Sequence, residues 1–325
     1  MSSEKVEKLL VKLQDRKMKT RFRALVKTAK YASKGEFHEK ALDPIIKFLS
    51  EKDNTARSIS AWTIAKYGQK EIFTEKAIAT LIKMLKKEDN REVLTNVTMA
   101  LAVYAGGNLV SKIDISKDTL LQLLESQNEK VRANAALLLG LFVEKNFLVK
   151  EAFEKIVSLL DDKDLSVRRN ASYAVLGYAE KGIVDANIME KLIEGLRDWE
   201  GVKINNTITL GKYAEKGFTD ERAMEKLAKL LKDRNQNVRE NAAETLIIYA
   251  NKNLTDEKVL EGCVKLLKDK NDNTRKAAAR LLALYAKRNL MNEKAVKPLT
   301  EALEDDTIAQ DAKLTLKRYK EAGLQ

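Results

Sequence analysis

Thr219-Asp-Glu-Arg-Ala-Met-Glu-Lys-Leu-Ala-Lys-Leu-Leu, then the polar run Asp233-Arg-Asn-Gln-Asn, then Val238-Arg-Glu-Asn-Ala-Ala-Glu-Thr-Leu-Ile-Ile-Tyr-Ala, is the stretch that decides the fold. In its first part Ala223, Leu227, Leu230 and Leu231 fall on one face at helical spacing, with acidic residues in the opening turn where the helix dipole favours them. In its last part Val238, Ala242, Leu246 and Tyr249 make a second helical stripe. Helix A, a polar loop and helix B therefore follow one another with no segment left for a strand.

The same unit recurs along the whole chain. An aromatic residue returns at Tyr31, Tyr67, Tyr104, Phe142, Tyr178, Tyr213, Tyr249, Tyr285 and Tyr319, at intervals of 34 to 38 residues. Eleven residues before each stands a marker, at Thr20, Ala56, Val93, Val131, Val167, Val202, Val238, Thr274 and Ile308, and six markers are followed by arginine: Arg21, Arg57, Arg132, Arg168, Arg239 and Arg275. Four residues after the aromatic come Gly35, Asn108, Asn146, Gly182, Gly217, Asn253, Asn289 and Gly323, residue types that tolerate the left-handed conformation closing a helix. Only Glu71 breaks this rule. Asp53, Asn90, Asn128, Asp164, Asn235, Asn271 and Asp305 stand before helix B as candidate N-caps.

A period near 36 overrides any domain count made from length. It predicts an all-α fold, a right-handed α-solenoid of about nine two-helix repeats, continuous over 1–325 with units near 1–37, 38–73, 74–110, 111–148, 149–184, 185–218, 219–254, 255–290 and 291–325. Irregularity is expected at Lys112-Ile-Asp-Ile-Ser116 in repeat 4 and at Trp199-Glu-Gly-Val-Lys in repeat 6.

Asp164-Leu-Ser-Val-Arg-Arg-Asn-Ala-Ser and Asn235-Gln-Asn-Val-Arg-Glu-Asn-Ala-Ala resemble the loop and second helix of HEAT repeats, and the resemblance covers essentially the whole chain. Pro44 and Pro298 stand in helix A where HEAT helices often carry a kinking proline. Ser60-Ala-Trp-Thr-Ile-Ala-Lys-Tyr-Gly resembles the armadillo third helix, with Lys66 where that family has its peptide-binding asparagine. The resemblance implies a non-enzymatic scaffold that binds another protein or peptide along its concave surface. Some HEAT-like proteins are DNA glycosylases using a carboxylate and tryptophans; only Trp62 matches that constellation.

Composition narrows the chemistry. The 325 residues include one cysteine (Cys263) and one histidine (His38), which removes most metal and nucleophile chemistry. No Gly-rich phosphate loop is present. No catalytic residue, metal site, cofactor or small-molecule substrate is assigned, and His38 receives no catalytic part. Cys263 aligns with the core side of helix A. No run of eighteen apolar residues occurs, and the opening pattern lacks a secretory leader, so a cytoplasmic protein without a membrane partner is expected.

Three series of residues could carry function. Six residues after each marker come Val26, Trp62, Met99, Leu137, Tyr173, Ile208, Glu244 and Arg280, either packing between B helices or an apolar groove for a partner. Three residues after the marker come Asn96, Asn134, Asn170, Asn205 and Asn241, poor helix formers that either bridge repeats or offer amides to a ligand backbone. Trp199 is a local plug or an exposed partner anchor. The net charge of +12 concentrates in repeat 1, at +7, and repeat 8, at +4. Arg21, Arg23, Lys27 and Lys30 near one end, and Lys276, Arg280, Lys287 and Arg288 near the other, are candidates to hold phosphates of a nucleic acid; a polar end-cap is the alternative.

Overall fold

The structure, a computed structural model, describes residues 3–85 and 87–324. Among the described residues there are eighteen α-helices and no strands, forming nine consecutive helix pairs. The chain divides into two compact units, 1–174 and 175–325.

In the first unit the pairs are α1 (Ser3–Leu13) with α2 (Met18–Ser33), α3 (Leu42–Lys47) with α4 (Asn54–Gly68), α5 (Glu75–Leu85) with α6 (Arg91–Tyr104), and α7 (Lys117–Leu124) with α8 (Glu129–Glu144). α9 (Phe153–Ser158) leads into α10 (Leu165–Glu180), within which the unit boundary falls. The second unit continues with α11 (Met189–Glu194) and α12 (Glu200–Glu215), α13 (Glu221–Leu230) and α14 (Gln236–Asn251), α15 (Glu257–Leu266) and α16 (Asp272–Ala286), and α17 (Val296–Glu301) and α18 (Ala309–Glu321). In each unit the second helices pack on one another in sequence order, burying Val93, Val97 and Leu101 in α6 and Val238, Ala242 and Leu246 in α14.

The capping signals work as backbone chemistry requires. The side chains of Asp53, Asn90, Asn128, Asp164, Asn235 and Asn271 each accept from an N–H in the first turn of the helix that follows, for example Ala56 N at 2.7 Å from Asp53. Asp305 departs from the pattern. Its carboxylate takes Thr307 N at 2.9 Å and its carbonyl takes Ile308 N and Ala309 N, making a turn, and α18 starts one residue after Ile308.

At the other end, Gly35, Glu71, Asn146, Gly182, Gly217, Asn253, Asn289 and Gly323 all have φ between 58° and 94°. The next N–H bonds back to the aromatic residue's carbonyl, as Ile72 N does to Tyr67 O at 3.1 Å. This is the six-to-one bond of a Schellman cap. Glu71, the sequence exception, folds like the rest and bears the cost of a Cβ in left-handed space. The real departure is in repeat 3. There α6 runs into a π-helical turn, Ala105–Leu109, and a 3-10 turn, Val110–Lys112, before Ser116 caps α7. The side chain of Asn108 lies outside the described residues.

In repeats 2, 6, 8 and 9 the aromatic marker closes its repeat on itself. Tyr67, Tyr104, Tyr178, Tyr213, Tyr249, Tyr285 and Tyr319 are among the largest fully buried side chains. The hydroxyls of Tyr67, Tyr213, Tyr285 and Tyr319 accept the backbone N–H of His38, Asp185, Asp256 and Asn292, the residues just ahead of helix A of the same repeat. Burial pushes the phenol pKa of Tyr213 and Tyr285 up to about 12. His38 is thus part of a structural link through its backbone.

Helix A is a short α segment between two 3-10 turns in repeats 2, 5, 6 and 9. Pro44 and Pro298 lie in two of these, but repeats 5 and 6 adopt the same form without proline, so proline is not the cause of the break. Side chains from helix B donate to buried carbonyls of these broken helices: Ser60 Oγ to Ile45 O at 2.7 Å, and Asn206 Nδ2 to Leu192 O at 3.2 Å.

Candidate functional site

The six-after-marker residues of the first unit occupy one register on α2, α4, α6, α8 and α10. Val26 is 42% exposed, and Trp62, Met99, Leu137 and Tyr173 are half-buried, while their flanking neighbours Ala61, Ala100, Ala136 and Ala174 are fully buried. Each of these side chains thus lies along the rim of the core with a part left to solvent. Lys66, one turn on from Trp62, holds its ammonium 5.4 Å from the indole centroid. Tyr173 donates its hydroxyl to the Glu144 carboxylate. Gly140 makes that pose available, because a Cβ there would stand 2.6 Å from the Tyr173 ring.

Beside this row the asparagines reach back to the preceding B helix. Asn96 Nδ2 donates to Ser58 O at 3.3 Å and Ser58 Oγ at 2.9 Å. Asn134 Nδ2 donates to Thr95 O and Thr98 Oγ1, both at 3.1 Å, and Asn170 Nδ2 to Ala133 O at 2.8 Å. Ser58, Thr95 and Ala133 share one register, two residues after the marker. Their small side chains leave the carbonyl open to the amide, a signal present in the sequence but legible only once the partner helix is known.

The second unit presents a different face. Ile208 is half-buried on α12, and Glu244 and Arg280 are exposed on α14 and α16 and face one another at 3.7 Å. Asn205 is half-buried, and Asn241 donates to Asn237 O of its own helix at 2.7 Å. Asn206, next to Asn205 in sequence, is buried. Trp199 is 68% exposed just ahead of α12, standing where other repeats place the capping Asp or Asn, with no side-chain cap bond.

The arginines after the marker span repeats. Arg21 reaches Glu51 at 2.8 Å, Arg57 reaches Glu88, Arg132 reaches Asp162 and Arg239 reaches Asp269, the last three at 2.7 Å, and Arg275 reaches Asp305 at 2.6 Å. Each also donates to carbonyls of its own loop, such as Arg132 Nη1 to Ser126 O at 2.7 Å. In repeat 6 Lys203 plays the part, reaching Asp233 at 2.8 Å. Burial works against ionisation of Asp162, Asp233 and Asp269, yet the hydrogen bonds from Arg132, Lys203 and Arg239 hold all three below the usual carboxylate range.

Of the other basic residues singled out, Arg23, Lys27, Lys30, Lys276 and Lys287 are exposed, and Lys27 lies 5.7 Å from the Tyr31 ring centroid. Arg288 is half-buried and donates to Leu284 O at 3.0 Å and Asn253 Oδ1 at 3.3 Å. Cys263 is buried, and burial pushes its thiol up to about 12, so it stays protonated. Among the described residues no group of three or more His, Cys, Asp and Glu could hold a metal ion, and no helix is long and apolar enough to cross a membrane.

Nine helix pairs, most of them closed by a buried aromatic and five of them carrying an arginine that reaches an acid of the following repeat, define a HEAT/armadillo-type α-solenoid. The HEAT-repeat family model matches residues 6–102, 118–181 and 224–316, well over half of the chain. The chain belongs to the HEAT-repeat family. No curated protein matches it in sequence. Among solved structures it is similar to an engineered protein at 24% identity and TM-score 0.70, over 96% of this chain and 88% of that one. It is also similar to a designed armadillo repeat protein at 21% identity and TM-score 0.55, and to armadillo repeat proteins computationally designed for modular peptide recognition at 20% and 0.53; both span 64% of this chain and 99% of theirs. These likenesses concern the fold.

Proposed function

We propose that the chain is a non-enzymatic scaffold that binds an extended segment of another protein along the concave surface lined by its second helices, with the first unit as the principal binding face. The observation that carries this reading is the register of Trp62, Met99, Leu137 and Tyr173 on four successive B helices, each partly open to solvent. An aromatic or aliphatic side chain of a partner gains most where it completes a half-covered apolar site. The asparagine amides beside the row already spend their N–H groups on the preceding helix, which leaves Oδ1 of Asn96 and Asn134 to accept from a partner's backbone. Trp199 is a separate exposed ring in the second unit. Function carried by a surface rather than by convergent catalytic groups is what stacked repeats are built to provide.

The test is selection of displayed linear peptides on the purified protein, followed by affinity measurement with variants. Recovered peptides should share apolar anchors, and Trp62→Ala or Tyr173→Ala should weaken them by about tenfold or more. Peptides that bind both variants as tightly as the wild type would refute this surface.

A further inference from the structure

Between α1 and α2 lies a cleft of about 310 Å³ whose lining is Lys5, Lys8, Lys12, Arg23 and Lys27 with Leu9, Ala24 and Thr20. Its volume is in the range of small-molecule sites, roughly 300–1,000 Å³. The spacing explains the convergence. Lys5, Lys8 and Lys12 follow one stripe of α1, and Arg23 and Lys27 are one turn apart on α2, so both helices turn their cations to the same gap. The floor is apolar, with Leu9 at 4% and Ala24 at 3% exposure. Thr20 adds a hydroxyl. No carboxylate lines the cleft.

Glu4 takes one of the five cations, Lys8, in a pair exposed on both sides. Lys27 lies near the Tyr31 ring. Lys5, Lys12 and Arg23 have no ion-pair partner among the described residues. A solvated end repeat needs a polar face, but it does not need one sign of charge. Repeat 9, at the other end of the series, carries both signs: 6 Lys+Arg against 7 Asp+Glu, with Lys317 and Glu321 paired at 4.0 Å on α18. Repeat 1 carries 11 Lys+Arg against 4 Asp+Glu. Like charges held around one gap repel, and a polyanion removes that repulsion.

We propose that the cleft between α1 and α2 binds a small, soluble, multiply charged phosphate ligand of the oligophosphate class. Arg23 supplies the planar fork suited to two phosphate oxygens, the three lysines of α1 and Lys27 supply point charges around it, and Thr20 supplies a hydrogen bond. The apolar floor strengthens each of these interactions by keeping water from beneath them. A nucleic-acid strand is a poorer fit, because the cations converge on one gap and no aromatic ring lines it for base stacking.

Isothermal titration of the full chain with inorganic tripolyphosphate, at physiological ionic strength, tests this assignment. Saturable one-to-one binding is expected, weakened at least about tenfold by the double variant Lys12→Glu/Arg23→Glu and largely kept by Arg23→Lys. Lys276→Glu/Lys287→Glu changes the net charge by the same amount in another repeat and should leave the affinity unaltered, while circular dichroism checks that both variants stay folded. Equal weakening by the two double variants would assign binding to overall charge and overturn the site, as would absence of binding at that ionic strength. Tighter binding of a short DNA or RNA duplex with the same dependence on Arg23 would reassign the cleft to a nucleic acid and also overturn the proposal.

Discussion

At the loop between helices A and B, repeats 4 and 5 are tied by charge, whereas repeats 3 and 4, one step earlier in the same unit, are tied there by neutral amides. At the first, Arg132 lays its guanidinium across both carboxylate oxygens of Asp162, at 2.7 and 3.0 Å, and the two side chains are 19% and 9% exposed. At the second, the corresponding positions are Leu94 and Ser126, so both the cation and the acid are missing. Asn128 takes over, donating to Arg91 O at 3.3 Å and Thr95 Oγ1 at 3.0 Å while its Oδ1 caps α8. The amide bridge from Asn134 or Asn170 is common to both junctions. The difference teaches that the helix stack and the arginine tie are separate devices: apolar burial makes the repeats adjacent, and the ion pair adds to a contact that forms without it. It also coincides with the π-helical turn at Ala105–Leu109, the place where repeat 3 leaves the regular cap.

Removing the acid at the charged junction should have the largest effect. Asp162→Ala leaves Arg132 unpaired and Asp164 N without its acceptor, and should cost about 2 kcal/mol in urea unfolding, below the fully buried limit because Arg132 stays partly hydrated. Ser126→Ala, at the matching place in the neutral junction, should cost less than about 1 kcal/mol. The charged junction should also respond to acid. Asp162 has a lowered native pKa, so its contribution is complete above the unfolded value of about 4 and is lost as pH falls through the native value. Titrating from about pH 6 to about pH 2 should therefore destabilise the wild type more than Asp162→Asn; parallel curves would contradict the assigned role.

A smaller effect is expected at the irregular turn. A Cβ on Gly107 would run into the Phe73 ring, which packs edge-on against Tyr104 at 4.8 Å, whereas Gly106 has open space around it. Gly107→Ala should cost about 1–2 kcal/mol and Gly106→Ala should be close to neutral, a contrast that thermal denaturation can read directly. The smallest effect is the conversion of one junction into the other. Leu94→Arg with Ser126→Asp should restore the tie and add no more than about 1 kcal/mol, with a double-mutant cycle separating the pair from its single substitutions.

Much of the fold was legible because it rests on local chemistry repeated nine times. The spacing of Tyr67, Tyr104 and their counterparts, the caps at Asp53 and Asn235, and the left-handed residues at Gly35 and Asn146 each follow from groups within a few residues of one another. Glu71 was illegible for the opposite reason: neighbouring packing and the Ile72 N–H bond hold a left-handed turn that its side chain alone disfavours. The candidate surface was half legible. Periodicity placed Trp62, Met99, Leu137 and Tyr173 at one register, but it gave no exposure, and it could not distinguish a groove from packing. The roles of Gly140, Glu144 and Ser58 depend on residues of the next repeat, far away in sequence.

By itself the sequence determined the repeat, its period, its helices and where they stop, since these depend on backbone hydrogen bonding and side-chain periodicity over short range. Tertiary structure alone decided which polar groups were consumed between repeats and which stayed exposed. Arg132 and Arg23 are both arginines on a B helix, yet one meets a carboxylate from the next repeat and the other faces a cleft lined by lysines. What an arginine can bind is set by the charges packed around it, and those come from elements that sequence proximity does not reveal.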